Sequence, residues 1–280
     1  MIKIAIVIIL DFLLTYSILG VAAAAVLTAC ILFYLWIGES IDLWRHRAVS
    51  IDKLDRYTRT RLESLQRYIV EDVRRVYGRD ISSMKLHVTP GGIPNAYTYG
   101  YQNISLTKYL LDNCDDATVC AVLGHEASHM LHLDAVFNRV VFANVTAVII
   151  GLSLGSLISV SFLWILFFIL VLCGICGGFL SFMLFRGIGR MVRGIYTALQ
   201  YAVLFIYQAA MGICSRQSEF QADRFSCELG YGPQLQYFLT RFQDMQRDER
   251  NLLEILYASH PPVYERVRRI EQHEEAVSNG

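Results

Sequence analysis

Between Val122 and Asp134 the chain reads VLGHEASHMLHLD, with His125 and His129 four residues apart and Glu126 directly after the first. On a helix, residues i and i+4 stand one above the other on the same face, so the two imidazoles can reach one metal ion. Glu126 lies about 100° further round, beside the ion, where a carboxylate can take a proton from water acidified by the metal. Such a motif fixes three positions, and a protein-held metal needs a further ligand. Downstream, SRQSEFQADRF sets Glu219 and Asp223 at the same i, i+4 spacing. Alone, that pair reads as a solvated charged helix. Beside HEASH, one carboxylate can complete a His₂Glu set with an open position for water, while the other orients a ligand imidazole.

The surrounding residues exclude some chemistries. A metzincin pattern would need Gly at 132 and His or Asp at 135, where this chain has His132 and Ala135. His132, at i+7 from His125, is read as a solvated or capping residue, and His46, His87 and His273 as lone structural histidines. An intramembrane site-2-type protease would set HExxH within a membrane segment and add an LDG motif. No LDG occurs here, and Asp115, Asp116 and Asp134 flank the histidines. A non-catalytic membrane scaffold would be expected to show a degenerate motif, and no required residue is missing.

These residues sit in an apolar chain: 280 residues, 54% hydrophobic, mean hydropathy +0.39, with 25 basic and 25 acidic side chains. That describes a membrane protein with a sizeable polar domain. Zero net charge gives no electrostatic footprint for nucleic acid, and a nucleic-acid partner is not expected. Seven scattered cysteines imply no disulfide framework, as in a reducing compartment. Cys173 and Cys176, inside an apolar run, read as small residues at helical spacing. The Asn-x-Ser/Thr sequons at Asn103 and Asn144 carry little meaning for cytosolic or lipid-embedded backbone.

Residues 1–38 form an N-terminal membrane region. A straight helix from Ile4 to Gly38 would be roughly 50 Å long against a hydrocarbon core of about 30 Å, so two short spans turning near Gly20 are preferred to one tilted span or a signal peptide. Arg45, Arg47, Lys53 and Arg56 follow, with Tyr34, Trp36 and Trp44 as interfacial anchors, which places this side in the cytoplasm. Residues 39–139 then begin the polar domain with the HExxH helix. Val140–Phe185 carries no charge over 46 residues. At roughly 70 Å as one helix it is expected to form two transmembrane helices, divided by a turn near Gly155–Ser161. Residues 186–280 complete the polar domain. The uncharged stretch Gly194–Ser215, with Tyr196, Gln200, Tyr201, Tyr207 and Gln208, is expected to pack in that domain or lie along the membrane. If His125 and Glu219 share an ion, the chain between them crosses an even number of times; making 140–185 one span with 194–215 returning is the alternative.

In the polar domain, Ile51–Val76 interleaves Leu54, Leu62, Leu65, Ile69, Val73 and Val76 with charges, as an amphipathic helix does. Pro, Gly and β-formers predict strands near Lys85–Val88 and Ala96–Tyr99. Asp115 or Asp116 should cap the HEASH helix, and helices are expected near Leu235–Leu256 and Val263–His273.

Gly124–His129, Asp134, Ser215-Arg216 with Glu219, Ala222-Asp223 and the upstream Asn95-Ala96-Tyr97 together resemble the HtpX membrane metallopeptidases, whose larger relative is the CAAX prenyl protease. The resemblance covers roughly residues 80–270. It implies a mainly α membrane protein, with helical hairpins in the membrane and an α+β gluzincin-type catalytic domain carrying a small edge-strand sheet. It also implies a zinc-dependent endopeptidase with one Zn2+ per chain on His125, His129 and Glu219, Glu126 as base and Asp223 holding a histidine. Pro94–Tyr97, with Asn95, Ala96 and Tyr97 as binding residues, would be an edge strand against which substrate lies extended. Ser259-His260-Pro261-Pro262 with Arg266 matches the family's C-terminal element, making His260 a candidate oxyanion stabiliser. The expected partners are polypeptides, membrane or misfolded proteins, and the bilayer. The expected place is an integral, multi-pass position in a plasma or inner membrane, with the catalytic domain cytoplasmic. CAAX processing of one substrate is the alternative.

Overall fold

The computed structural model describes residues 2–242 and 261–278. They form two compact units, residues 1–140 with 211–280, and residues 141–210.

The first unit starts with two helices, α1 (Ile2–Leu19) and α2 (Val21–Arg45), packed on one another and broken at Gly20. Gly20 takes φ +86°, a conformation open to glycine without steric cost. Of the two, α2 is long and apolar enough from Ala24 to Arg45 to cross a membrane; α1 holds a shorter apolar stretch, Ile4–Leu13. A short strand, β1 (Val49–Ser50), and a 3₁₀ turn (Ile51–Lys53) follow. Helix α3 (Arg56–Tyr77) therefore starts later than the hydrophobic period suggests, because the Asp55 side chain accepts from Thr58 N–H at 3.0 Å and fixes the first turn there. Its Leu62, Leu65, Ile69 and Val73 are buried, while Val76 stays exposed.

Four strands make one sheet in the order β1-β2-β4-β3, with β2 (Lys85–Thr89) and β4 (Asn103–Thr107) parallel and the outer pairs antiparallel. The strand β3 (Ala96–Tyr99) is an edge, at the bounds read from its β-formers and two residues later than the Pro94 start that the resemblance implied. The sequence reading missed β4, in which Ile104 and Leu106 alternate with Asn103, Ser105 and Thr107, polar residues that read as loop although all five are buried. A short helix, α4 (Lys108–Asn113), leads to α5 (Asp116–His132), which Asp115 caps by accepting from Thr118 N–H at 2.8 Å. The sheet and α3 pack around α5 with α8 (Gly232–Arg241) and α9 (Val263–Ser278) in one apolar core. Beyond Arg241, the expected helix to Leu256 falls mostly outside the described residues.

The membrane segments differ from expectation. A single helix, α6 (Asp134–Leu172), runs through Gly155–Ser161 without a turn. The reversal comes at residues 173–177, and α7 (Gly178–Glu228) returns as one helix of 51 residues. Cys173 and Cys176 thus belong to a turn, not to a helix face, with the adjoining Gly174 and Gly178 at φ +71° and +82°. Gly194–Ser215 lies inside α7, and up to residue 210 it groups with α6, not with the polar domain.

The physical reason lies in where its polar groups go. Tyr196 packs on Gly155 and its hydroxyl lies 3.2 Å from Ser159 Oγ, while Gln200 donates to Ser153 Oγ at 2.8 Å and reaches the Ile149 carbonyl at 3.3 Å. Polar side chains satisfied between two helices do not have to leave the bilayer. Helices α6 and α7 are each long and apolar enough to cross a membrane, and one crossing by each would keep His125 and Glu219 on the same side, as in the alternative.

Candidate metal centre

Two close approaches build the site. Gly124 on α5 faces Ser226 and Leu229, and a Cβ there would meet both at 3.3 Å, tighter than most real contacts. Ser226 Oγ donates to the Ala121 carbonyl at 2.9 Å, so α7 lies directly against α5. That contact carries Glu219, one helical stretch earlier on α7, to the face that displays His125 and His129.

His125 Nε2 and His129 Nε2 are 3.2 Å apart, and each lies 3.5 Å from a Glu219 carboxylate oxygen. The three side chains are the metal-capable cluster found among the described residues. Edges of about 3.3 Å are what a tetrahedron with ligand bonds near 2.0–2.1 Å requires, so these atoms could hold a zinc-sized ion. Behind each imidazole stands a carboxylate: Asp223 Oδ1 is 3.0 Å from His125 Nδ1, and Asp134 Oδ2 is 2.8 Å from His129 Nδ1. Such partners keep the proton on Nδ1 and turn both Nε2 lone pairs toward one point. Two nitrogen acceptors and a carboxylate facing each other inside 3.5 Å repel unless positive charge sits among them.

The titration behaviour agrees. Burial favours the neutral imidazole, yet Asp134 and Glu219 push His129 up to about 10, and Asp223 and Glu219 raise His125 against the same burial. The cluster draws in a proton when no other cation is supplied. Arg266 from α9 provides a guanidinium: it donates to both Asp223 oxygens at 2.6 and 2.8 Å and lies 3.3 Å from Glu219. Burial opposes its charge, but Asp223 and Glu219 hold it firmly protonated.

Glu126 sits on the neighbouring face of α5, 9% exposed. Thr98 of β3 places its hydroxyl 2.7 Å from Glu126 Oε2 and 3.0 Å from the Glu126 carbonyl. Immediately before β3, Asn95 acts locally: its Oδ1 accepts from Ala96 N–H at 2.9 Å and its own N–H donates to Thr107 Oγ1. Tyr97 packs on His46 and Tyr99. Thr107 N–H bonds to the Asn95 carbonyl, and antiparallel pairs alternate, so Ala96 and Thr98 turn their backbone groups away from β4 toward the free edge.

The structure therefore brings together His125, His129, Glu219, Asp223 and Arg266, with Glu126 alongside and Ala96–Tyr97 in the nearby edge strand. His260 lies outside the described residues. His132 is not in the cluster: its ring lies 2.8 Å from the Ser128 carbonyl and 2.9 Å from Gln221, tying α5 to α7. Sequence reasoning gave no role to Asp134 or Thr98. Asp134 reaches His129 because Leu133 takes φ +59° and turns the chain between α5 and α6, a conformation nothing in the sequence announces. Replacing Asp134 by Ala should weaken metal binding about 10- to 100-fold, read by chelator competition, with folding intact. Unchanged affinity would show that His129 needs no such support.

Residues 61–274 match the model of Peptidase family M48. The chain is 26% identical over 230 residues to the CAAX prenyl protease 1 homolog of Arabidopsis thaliana, covering 76% of this chain and 47% of that protein. It is 25% identical over 238 residues to the CAAX prenyl protease 1 homolog of Oryza sativa subsp. japonica, covering 79% and 48%. The chain thus spans about half the length of the curated relatives it matches. The crystal structure of S. mikatae Ste24p superposes with a TM-score of 0.52 at 20% identity, covering 96% of this chain and 62% of that one, which shows a shared fold. With a family match running from α3 into α9, this chain belongs to Peptidase family M48, and three of its helices are long and apolar enough to cross a membrane.

Proposed function

We propose that the chain is a zinc-dependent endopeptidase of the gluzincin type, with His125, His129 and Glu219 holding one zinc and Glu126 acting as general base. The observation that carries this reading is the convergence of two imidazole nitrogens and a carboxylate within 3.5 Å, each imidazole backed by its own carboxylate. Zinc bound there supplies Lewis acidity, lowering the pKa of water to about 7 and polarising a carbonyl. Glu126 accepts the water proton and returns it to the departing amine nitrogen, so the peptide bond is exchanged for a carboxyl and an amine. Arg266 keeps Asp223 and Glu219 fixed and partly neutralised. The outward rungs of β3 receive an extended polypeptide through backbone hydrogen bonds, which suits many sequences.

That tolerance favours membrane-protein quality control, on extended or misfolded segments. CAAX-type processing is the second reading, supported by the names of the curated relatives. The basic residues Arg45, Arg47, Lys53 and Arg56 after α2 favour a cytoplasmic catalytic domain.

Glu126→Gln should retain zinc and peptide binding while turnover falls about 100-fold or more, measured on an unfolded membrane-protein substrate and on a prenylated CAAX peptide in parallel. Normal cleavage by this variant would reject the mechanism, and cleavage of the CAAX peptide alone would favour the second reading. A cysteine placed at the exposed Tyr57 should react with an impermeant thiol reagent from the cytoplasmic face; labelling from the other face alone would reverse the orientation.

A further inference from the structure

We infer that Thr98 is a positioning residue that fixes the carboxylate of Glu126 and ties it to the strand on which substrate lies. The inference rests on the function proposed above for Glu126 and adds a residue that neither the motif nor the metal cluster contains.

The geometry is specific. A threonine hydroxyl carries one proton, and two acceptors stand within reach, Glu126 Oε2 at 2.7 Å and the Glu126 carbonyl at 3.0 Å. The carboxylate is the nearer and the charged acceptor, so it takes the stronger bond. A glutamate side chain has three rotatable bonds. Holding Oε2 removes that freedom and leaves Oε1 as the oxygen that takes the proton. Among the described residues, the hydrogen bonds recorded for this carboxylate come from Thr98.

Thr98 occupies a second role through its backbone. It is one of the two β3 residues whose N–H and C=O face away from β4, and the other, Ala96, has its N–H taken by Asn95 Oδ1. The Thr98 amide is therefore the outward donor left on this strand for an added peptide. One residue then sets both references that the reaction needs: its backbone locates the substrate chain and its hydroxyl locates the base. A peptide docked on Thr98 is automatically in register with Glu126.

The test compares Thr98→Val, which keeps the shape and loses the hydroxyl, with Thr98→Ser, which keeps the hydroxyl, and with Thr98→Ala as the partner of Ser at reduced bulk. With zinc content equal to wild type, Val and Ala should lower kcat about tenfold or more with KM changed less than twofold, and Ser should restore most of kcat. In a Glu126→Gln background, Thr98→Val should cause no further loss, because the group being positioned is no longer a base. Structures of wild type and Thr98→Val read the same claim without turnover: Glu126 Oε2 should stay on Thr98 in the first and leave that position in the second. Equal kcat for Val and wild type, an equal deficit for Ser and Ala, or an unmoved carboxylate in Thr98→Val would each overturn the inference. A wild type without peptidase activity would count against the proposed function alone, since the carboxylate's placement still decides the role of Thr98.

Discussion

A buried imidazole, a half-buried one and a buried carboxylate aim their lone pairs at one another across 3.2 to 3.5 Å, and that repulsion has to be balanced by positive charge. Four carboxylates, Glu126, Asp134, Glu219 and Asp223, crowd a region into which Arg266 brings a guanidinium. Uncompensated charge in a low-dielectric interior is expensive, so the arrangement calls for added positive charge, which the proposed zinc would supply. Much of the local structure follows from that constraint. The capped start of α5, the turn at Leu133, the salt-bridged Arg266 and the tight α5–α7 contact at Gly124 each hold one member of the cluster in place.

The ligands come from distant parts of the sequence, with the whole α6–α7 hairpin between His129 and Glu219. Completion of the metal site therefore depends on that hairpin forming and returning the chain. Its two helices are joined by polar contacts at Tyr196 and Gln200 in a mostly apolar surface. Glu219 lies near the end of the same helix, continuous from Gly178 to Glu228, that begins after the reversal. At the N-terminal side, α2 is tied in by Arg139, which pairs with Asp42 at 2.5 Å and packs closely on Gly38, and by Glu39, which accepts from Asn103 of β4.

What the sequence makes legible here is periodic chemistry within one element. His125 with His129 and Glu219 with Asp223 are each an i, i+4 pair, so their shared faces follow from helix geometry alone. Contacts made across elements leave no such trace: Asp134 reaches His129 through a left-handed leucine, and Thr98 looks like any β-branched strand residue. The membrane turn was misplaced for a related reason. An uncharged run of 46 residues offers no polar mark for its reversal, and glycines occur both near 155 and near 174. Gly155 serves close packing on Tyr196, while Gly174 and Gly178 take the positive φ that the turn requires. The tyrosines and glutamines of 194–215 seemed too polar for lipid because their partners on α6 could not be seen from spacing. The strand β4 does alternate, but over only five residues, and the burial of its polar Asn103, Ser105 and Thr107 between neighbouring elements leaves no mark in the sequence.

The most direct test of the central claim is the metal coordination itself, read by X-ray absorption together with anomalous scattering from crystals of the zinc-loaded chain. The account expects one ion, bound by His125 Nε2 and His129 Nε2 at about 2.0–2.1 Å and by a Glu219 oxygen at about 2.0–2.2 Å, with Asp134 and Asp223 one shell further out. An ion bound elsewhere, or one coordinated by the histidines without Glu219, would contradict it.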